Sequence, residues 1–145
     1  MTQVIQTFGE QGMFAAHGKW QIDIVPPVIF VNLIGAFNRE GVRAFEQHAL
    51  TEIAPYTAGA LKRVVINLTQ CELATADSLA ALQVYFADVA QRGYQEIDFI
   101  GVNALSRQLL TQLWQTHPVK VLFYLDADAY LVQHPHYRDA TSWLS

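Results

Sequence analysis

Arg63-Val-Val-Ile-Asn-Leu68 places four apolar residues in six, three of them β-branched, which predicts a strand buried on both faces. After the polar stretch from Thr69 to Ala76 the period changes. Leu79, Leu82, Phe86 and Val89 recur at steps of three and four, the apolar stripe of a helix laid on a sheet and opening near Asp77-Ser78. A strand, a loop and a helix joined in this way bring unbonded backbone N–H groups and a partial positive charge to the point where the helix begins. Ser78, beside Asp77, stands at that point.

Upstream, Trp20-Gln-Ile-Asp-Ile-Val25 alternates apolar and polar and Val28-Ile-Phe-Val-Asn-Leu33 is almost wholly apolar, so with Pro26-Pro27 between them they predict a β-hairpin. Asn38 is a good cap for a helix whose Val42, Phe45, Ala49 and Ile53 share one face and which stops before Pro55. Residues 1–17, with Gly9 and Gly12 and no sustained period, read as an irregular arm. Downstream, Gly93 ends the second helix and Glu96-Ile-Asp-Phe-Ile-Gly101 reads as a strand. Asn103 can cap a third helix, Lys120-Val-Leu-Phe-Tyr-Leu125 reads as the last strand, and Asp126-Ala-Asp-Ala opens a further helix with two acids at its positive end. The tail then packs through Tyr137, Trp143 and Leu144. The expected order is ββαβαβαβα: an α/β fold with a mixed sheet of about five strands and helices packed on it, in one domain over residues 18–145.

Composition narrows the function classes. The 145 residues are 52% apolar and 15% charged, enough for one buried core. A net charge of −4 supplies no basic footprint for nucleic acid. The single Cys71 forms no internal disulfide, the first twenty residues lack the pattern of a secretory signal, and no apolar run reaches the roughly 20 residues of a membrane span. The expected setting is therefore the cytoplasm.

The turn Leu33-Ile-Gly-Ala-Phe-Asn38 resembles the one that leaves the second strand in STAS domains, the family named for sulfate transporters and anti-sigma factor antagonists, where the usual pattern is Leu-x-Gly-x-Leu-Asp. Arg63 to Leu68 resembles that family's central strand, Asp77-Ser78 its Asp-Ser at the next helix, and Asn103-Ala-Leu-Ser-Arg-Gln-Leu-Leu110 its third helix. The order and spacing agree over about residues 18 to 134. The family's Asp-Ser-Ser-Gly is here Asp77-Ser78-Leu79-Ala80, after a loop about two residues longer. The resemblance implies a regulatory domain without catalysis or cofactor, which binds a protein partner of the anti-sigma factor or serine-kinase type. It makes Ser78 the candidate phosphoacceptor and puts Asn38, Thr75, Asp77 and Ser78 in the partner-binding region. It leaves the oligomeric state open.

Read without the resemblance, Asp77 is a helix cap, Ser78 a first-turn residue, and Thr75 a second possible cap or acceptor. A phosphate on Ser78 would add roughly −1.5 to −2 charge at a helix start that tolerates an anion. His134-Pro-His136 lacks a Cys or carboxylate cluster at ligand spacing and reads as solvated, with no metal expected. Asp126 and Asp128 serve their helix. Cys71, placed in the loop, has no nearby cation to lower its pKa, and no motif places a base, so an enzyme is the least supported class. A small-molecule or lipid-binding module with an apolar pocket is the alternative to partner binding, motivated by the apolar content and the aromatic residues before the second helix.

Overall fold

The computed structural model describes residues 3–8, 18–73 and 76–144, with the backbone alone for residues 3–8, 73, 76–79, 83, 86 and 105. Six strands lie side by side in chain order: β1 (Gln3–Phe8), β2 (Gly18–Val25), β3 (Val28–Phe37), β4 (Arg63–Leu73), β5 (Glu96–Ile100) and β6 (Lys120–Tyr124). The first three are antiparallel; β3 through β6 are parallel. Helices α1 (Arg39–Ile53), α2 (Ala76–Gln91) and α3 (Ala104–Trp114) connect the parallel strands, and α4 (Ala127–Gln133) follows β6.

The sheet has two buried faces. Ile22, Val31, Ile66 and Phe99 point one way and meet Phe45 of α1, Leu82 and Tyr85 of α2 and Leu110 of α3. Phe30, Val65 and Ile100 point the other way and meet Tyr130 and Leu131 of α4 and Leu144 of the tail. Strand β4 is thus apolar on both sides because it is covered on both sides, and Ile66 is only 3% exposed. Tyr137 and Trp143 join the second core; each ring meets Phe30 edge-on.

Three expectations need correction. Gln3–Phe8 is a strand within the expected irregular arm, paired antiparallel from Gln3 opposite Asp23 to Phe8 opposite Gly18. Val4, Ile5 and Thr7 are β-branched, and an existing sheet edge supplies the partner that a six-residue stretch cannot supply for itself. The sheet accordingly has six strands. Second, β4 does not end at Leu68 but continues to Leu73. Its pairing with β3 slips between Asn32/Asn67 and Ile34/Gln70, so that Leu68 and Thr69 oppose the single residue Leu33, a β-bulge. Asn67 holds the bulge by accepting from the Thr69 N–H at 3.2 Å and the Thr69 hydroxyl at 2.6 Å. Third, His134 is packed and not solvated. Its ring stacks on Tyr130 at 4.6 Å, and Nε2 lies 3.4 Å from the Tyr124 hydroxyl. Burial, with Arg63 adding to it, lowers the His134 pKa.

Candidate functional site

The turns that leave β3, β4 and β5 all emerge at the carboxyl ends of parallel strands. Phe37 lies opposite Leu73 at the last register position of β3 and β4, so the chain toward Asn38 and the chain toward α2 leave the sheet side by side. Asn38 caps α1, its Oδ1 accepting from the Gly41 N–H at 2.8 Å. Asn103 does the same for α3 with the Ser106 N–H at 2.8 Å. Both caps are the ones the sequence predicts.

Helix α2 begins at Ala76, one residue before its expected opening, so Asp77 and Ser78 are its second and third residues and Asp77 is not the cap. Their side chains, and Thr75 as a whole, lie outside the described residues. Leu82, Tyr85 and Val89 form the buried line of the helix, and Ser78 stands four residues before Leu82. On the outward side Ala80 and Val84 are exposed, Val84 by 66%. They are one turn apart and neither is charged.

Cys71 belongs to β4, opposite Gly35, and not to a loop. Burial, with a smaller push from Glu72, raises its thiol to about 12, far from the thiolate that nucleophilic chemistry requires. The expectation missed this because Thr69-Gln-Cys-Glu72 lacks the apolar alternation of a strand; the neighbouring β3 supplies the pairing.

The alternation of β2 conceals a second feature. Gln21 and Asp23 read as a solvent face, yet Asp23 is wholly buried and Gln21 is 6% exposed. The tail covers them: Thr141 Oγ1 donates to Asp23 Oδ2 at 2.5 Å, and Gln21 Nε2 donates to Asp23 Oδ2 at 3.0 Å and to Ser142 Oγ at 3.2 Å. On the same face Arg63 Nε lies 3.0 Å from Glu96 Oε2 and 3.7 Å from Asp98 Oδ2. Gln21, Asp23 and Asp98 are buried under α4 and the tail, with Arg63 and Glu96 half-buried beside them, which favours a structural role over exchange with a substrate.

Space in the interior is small. Two gaps of about 10 and 20 Å³ lie between the sheet and the first helices, each holding at most about one water. An open groove of about 530 Å³ beside Leu50, Tyr56, Arg92 and Tyr94 lies at the opposite end of the strands from Asn38.

No family model matches this chain. No curated protein matches it either. Among solved structures, it is similar to an uncharacterized protein of the DUF3478 family with a SpoIIAA-like fold from Shewanella loihica PV-4, at 11% identity over 90% of this chain and 94% of that one, with a TM-score of 0.55. The fold is STAS-like. The STAS-like chain is also similar to the murine Solute Carrier 26 family member A9 anion transporter in its inward-facing state, at 13% identity with a TM-score of 0.53, covering 92% of this chain but 22% of the transporter. Among the described residues of this STAS-like domain, no helix is long and apolar enough to cross a membrane.

Proposed function

We propose that the domain is a non-catalytic regulatory module that docks on a protein partner at the carboxyl edge of its parallel strands, with Asn38, Thr75, Asp77 and Ser78 in the contact region and Ser78 as the phosphoacceptor. One observation carries the reading: α2 leaves that edge with Ala80 and Val84 turned outward, an apolar, uncharged pair one turn apart. An exposed apolar residue in such a setting suits a protein contact. A phosphate in the first turn of α2 would put roughly −1.5 to −2 charge at its margin and repel an acidic partner. The inert Cys71 thiol supports a role without catalysis.

The partner, isolated from the native lysate with the domain as bait, is titrated calorimetrically against wild type, Ser78→Ala and Ser78→Asp, and the recovered domain is weighed intact. The expected result is a phosphate adduct that disappears in Ser78→Ala, near wild-type binding by Ser78→Ala, and binding weakened about tenfold or more by Ser78→Asp. Equal affinity of all three, with no adduct, would remove Ser78 from the mechanism. Wild-type affinity of a Val84→Glu variant would remove the α2 strip as well.

A further inference from the structure

Strand β6 is the last in the sheet and, among the described residues, pairs only with β5. Lys120-Val-Leu-Phe-Tyr-Leu125 has no charge after Lys120 and no proline. Its register with β5 runs unbroken from Lys120 opposite Glu96 to Tyr124 opposite Ile100. Charges, prolines and bulges are what blunt a free edge, and beyond Lys120 this one has none of them. We propose that two copies of the chain meet at this edge, their β6 strands running antiparallel about a two-fold axis at Phe123 and joining the two sheets into one.

The backbone decides which groups the edge offers. The Lys120 N–H donates to Gln95 O at 3.1 Å, and the Gly101 N–H donates to Tyr124 O at 3.0 Å. In a parallel ladder the N–H and C=O of one residue turn to the same side and successive residues turn to opposite sides. Lys120, Leu122 and Tyr124 are therefore bonded to β5. Val121 and Phe123 turn their groups outward, and Leu125 is next in line just past the strand. The side chains here are thinly covered. Val121, Leu122, Phe123 and Tyr124 are half-buried, and Leu122 joins neither apolar core. Leu125 is 80% exposed, the most exposed large apolar side chain among the described residues.

A second copy is the occupant because the edge is complementary to itself in one register. With Phe123 opposite Phe123, Val121 of each copy meets Leu125 of the other and Leu122 meets Tyr124. Every outward backbone group then has a partner, and each face of the joined sheet gains apolar cross-strand pairs. The same register sets Lys120 of each copy opposite Asp126 of the other, so that opposite charges meet at both ends. Slipping by one residue would set outward groups against groups already bonded to β5. Slipping by two would bring Lys120 opposite Tyr124 or Asp126 opposite Leu122, and the charges would part. Backbone bonding, apolar matching and charge thus select one arrangement. This lateral edge is apart from the turns at the carboxyl ends of the strands, and the inference does not rest on the docking reading.

Sedimentation velocity of the full chain over about 1–200 µM should show a reversible monomer–dimer equilibrium with a micromolar Kd, as suits a short interface. Leu125→Lys changes a side chain that the monomer leaves in water and should weaken the dimer about tenfold or more. Val121→Pro removes an outward N–H and no bond to β5, and should act in the same direction. Lys120→Glu should weaken the dimer about threefold, with the difference shrinking in high salt. In NMR hydrogen exchange, the Val121 and Phe123 amides should slow as the protein is concentrated, while those of Leu122 and Tyr124, already bonded to β5, should not change. The proposal is overturned by a chain that stays monomeric at the highest concentration, by a dimer that Leu125→Lys leaves intact, or by a dimer whose Val121 and Phe123 amides exchange as fast as the monomer's. Should Val121→Pro fail to fold, Leu125→Lys and the exchange pattern decide the matter. None of these outcomes depends on Ser78 or on the protein partner.

Discussion

Asp98 is wholly buried on the α4 face, and the nearest cation, Arg63, is shared with Glu96. Burial first, and Glu96 next, push the Asp98 carboxyl up to about 8, with Arg63 opposing part of the shift. Between the ordinary Asp value near about 4 and that raised value, the folded protein holds a proton that the unfolded chain has released. Stability therefore falls as pH rises through this window, and the loss is complete above it. Asn keeps the neutral shape at every pH. Asp98→Asn should therefore match or slightly trail wild type near pH 5 and exceed it near pH 8.5, flattening the slope of urea midpoints against pH. Parallel slopes for the two proteins would mean that Asp98 is ionised in the fold throughout. The sequence conceals this residue: Glu96-Ile-Asp98 has the alternation of a half-solvated strand, and only the docking of α4 and its Tyr130 shows the polar side to be an interior one.

At the scale of elements, legibility tracks how local each cause is. Asn38 and Asn103 satisfy N–H groups three residues away, so both helix starts can be read from a short window. The central strand is legible in Val64, Val65 and Ile66 because both of its faces are apolar. Its continuation to Leu73 is not, since the bulge depends on β3 alongside and on Asn67 holding the Thr69 N–H. The start of α2 was legible to within a residue, from the position of Asp77-Ser78 ahead of the apolar stripe. The polar cluster under the tail was not, because Gln21 and Asp23 meet Thr141 and Ser142 only in three dimensions. The bulge also sets a demand on the residue that follows β5, Gly101 at φ +78°. A Cβ there would run into the Thr69 hydroxyl and stand 2.9 Å from Thr69 Cα. Gly93, at φ +86°, has nothing within 4 Å of such a Cβ. Gly93→Ala should cost only the left-handed conformation, about 1–2 kcal/mol, whereas Gly101→Ala adds overpacking of about 1–3 kcal/mol. Urea denaturation should rank Gly101→Ala clearly below Gly93→Ala; equal losses would show that Thr69 moves aside freely and that the bulge is not tightly held.

Across the whole molecule, the last nineteen or so positions act as a third layer on a sheet that α1, α2 and α3 cover from one side only. Without α4 and the tail, Phe30, Val65 and Ile100 would face water, each forfeiting about 1.5–3 kcal/mol of burial. Tyr130, Leu131 and Leu144, which seal them, would be lost at the same time. Asp23 would lose the Thr141 hydroxyl, while Asp98, freed from its cover, would ionise at a lower pH and relieve part of the burden. The relief is one group, against three or more large apolar side chains and a domain stability of about 5–15 kcal/mol. A chain ending at Asp126 should therefore lose its cooperative urea transition, keep much of its far-ultraviolet helix signal from α1 and α3, and bind the dye ANS through the bared sheet face, the behaviour of a state with secondary structure but without fixed packing. Adding back residues 127–145 as a separate peptide should restore a sigmoidal transition at a midpoint that rises with peptide concentration, because the peptide binds only the folded sheet. A truncated chain that unfolds cooperatively near the wild-type midpoint would mean that the first core suffices and that α4 is an attachment to the fold and not one of its layers.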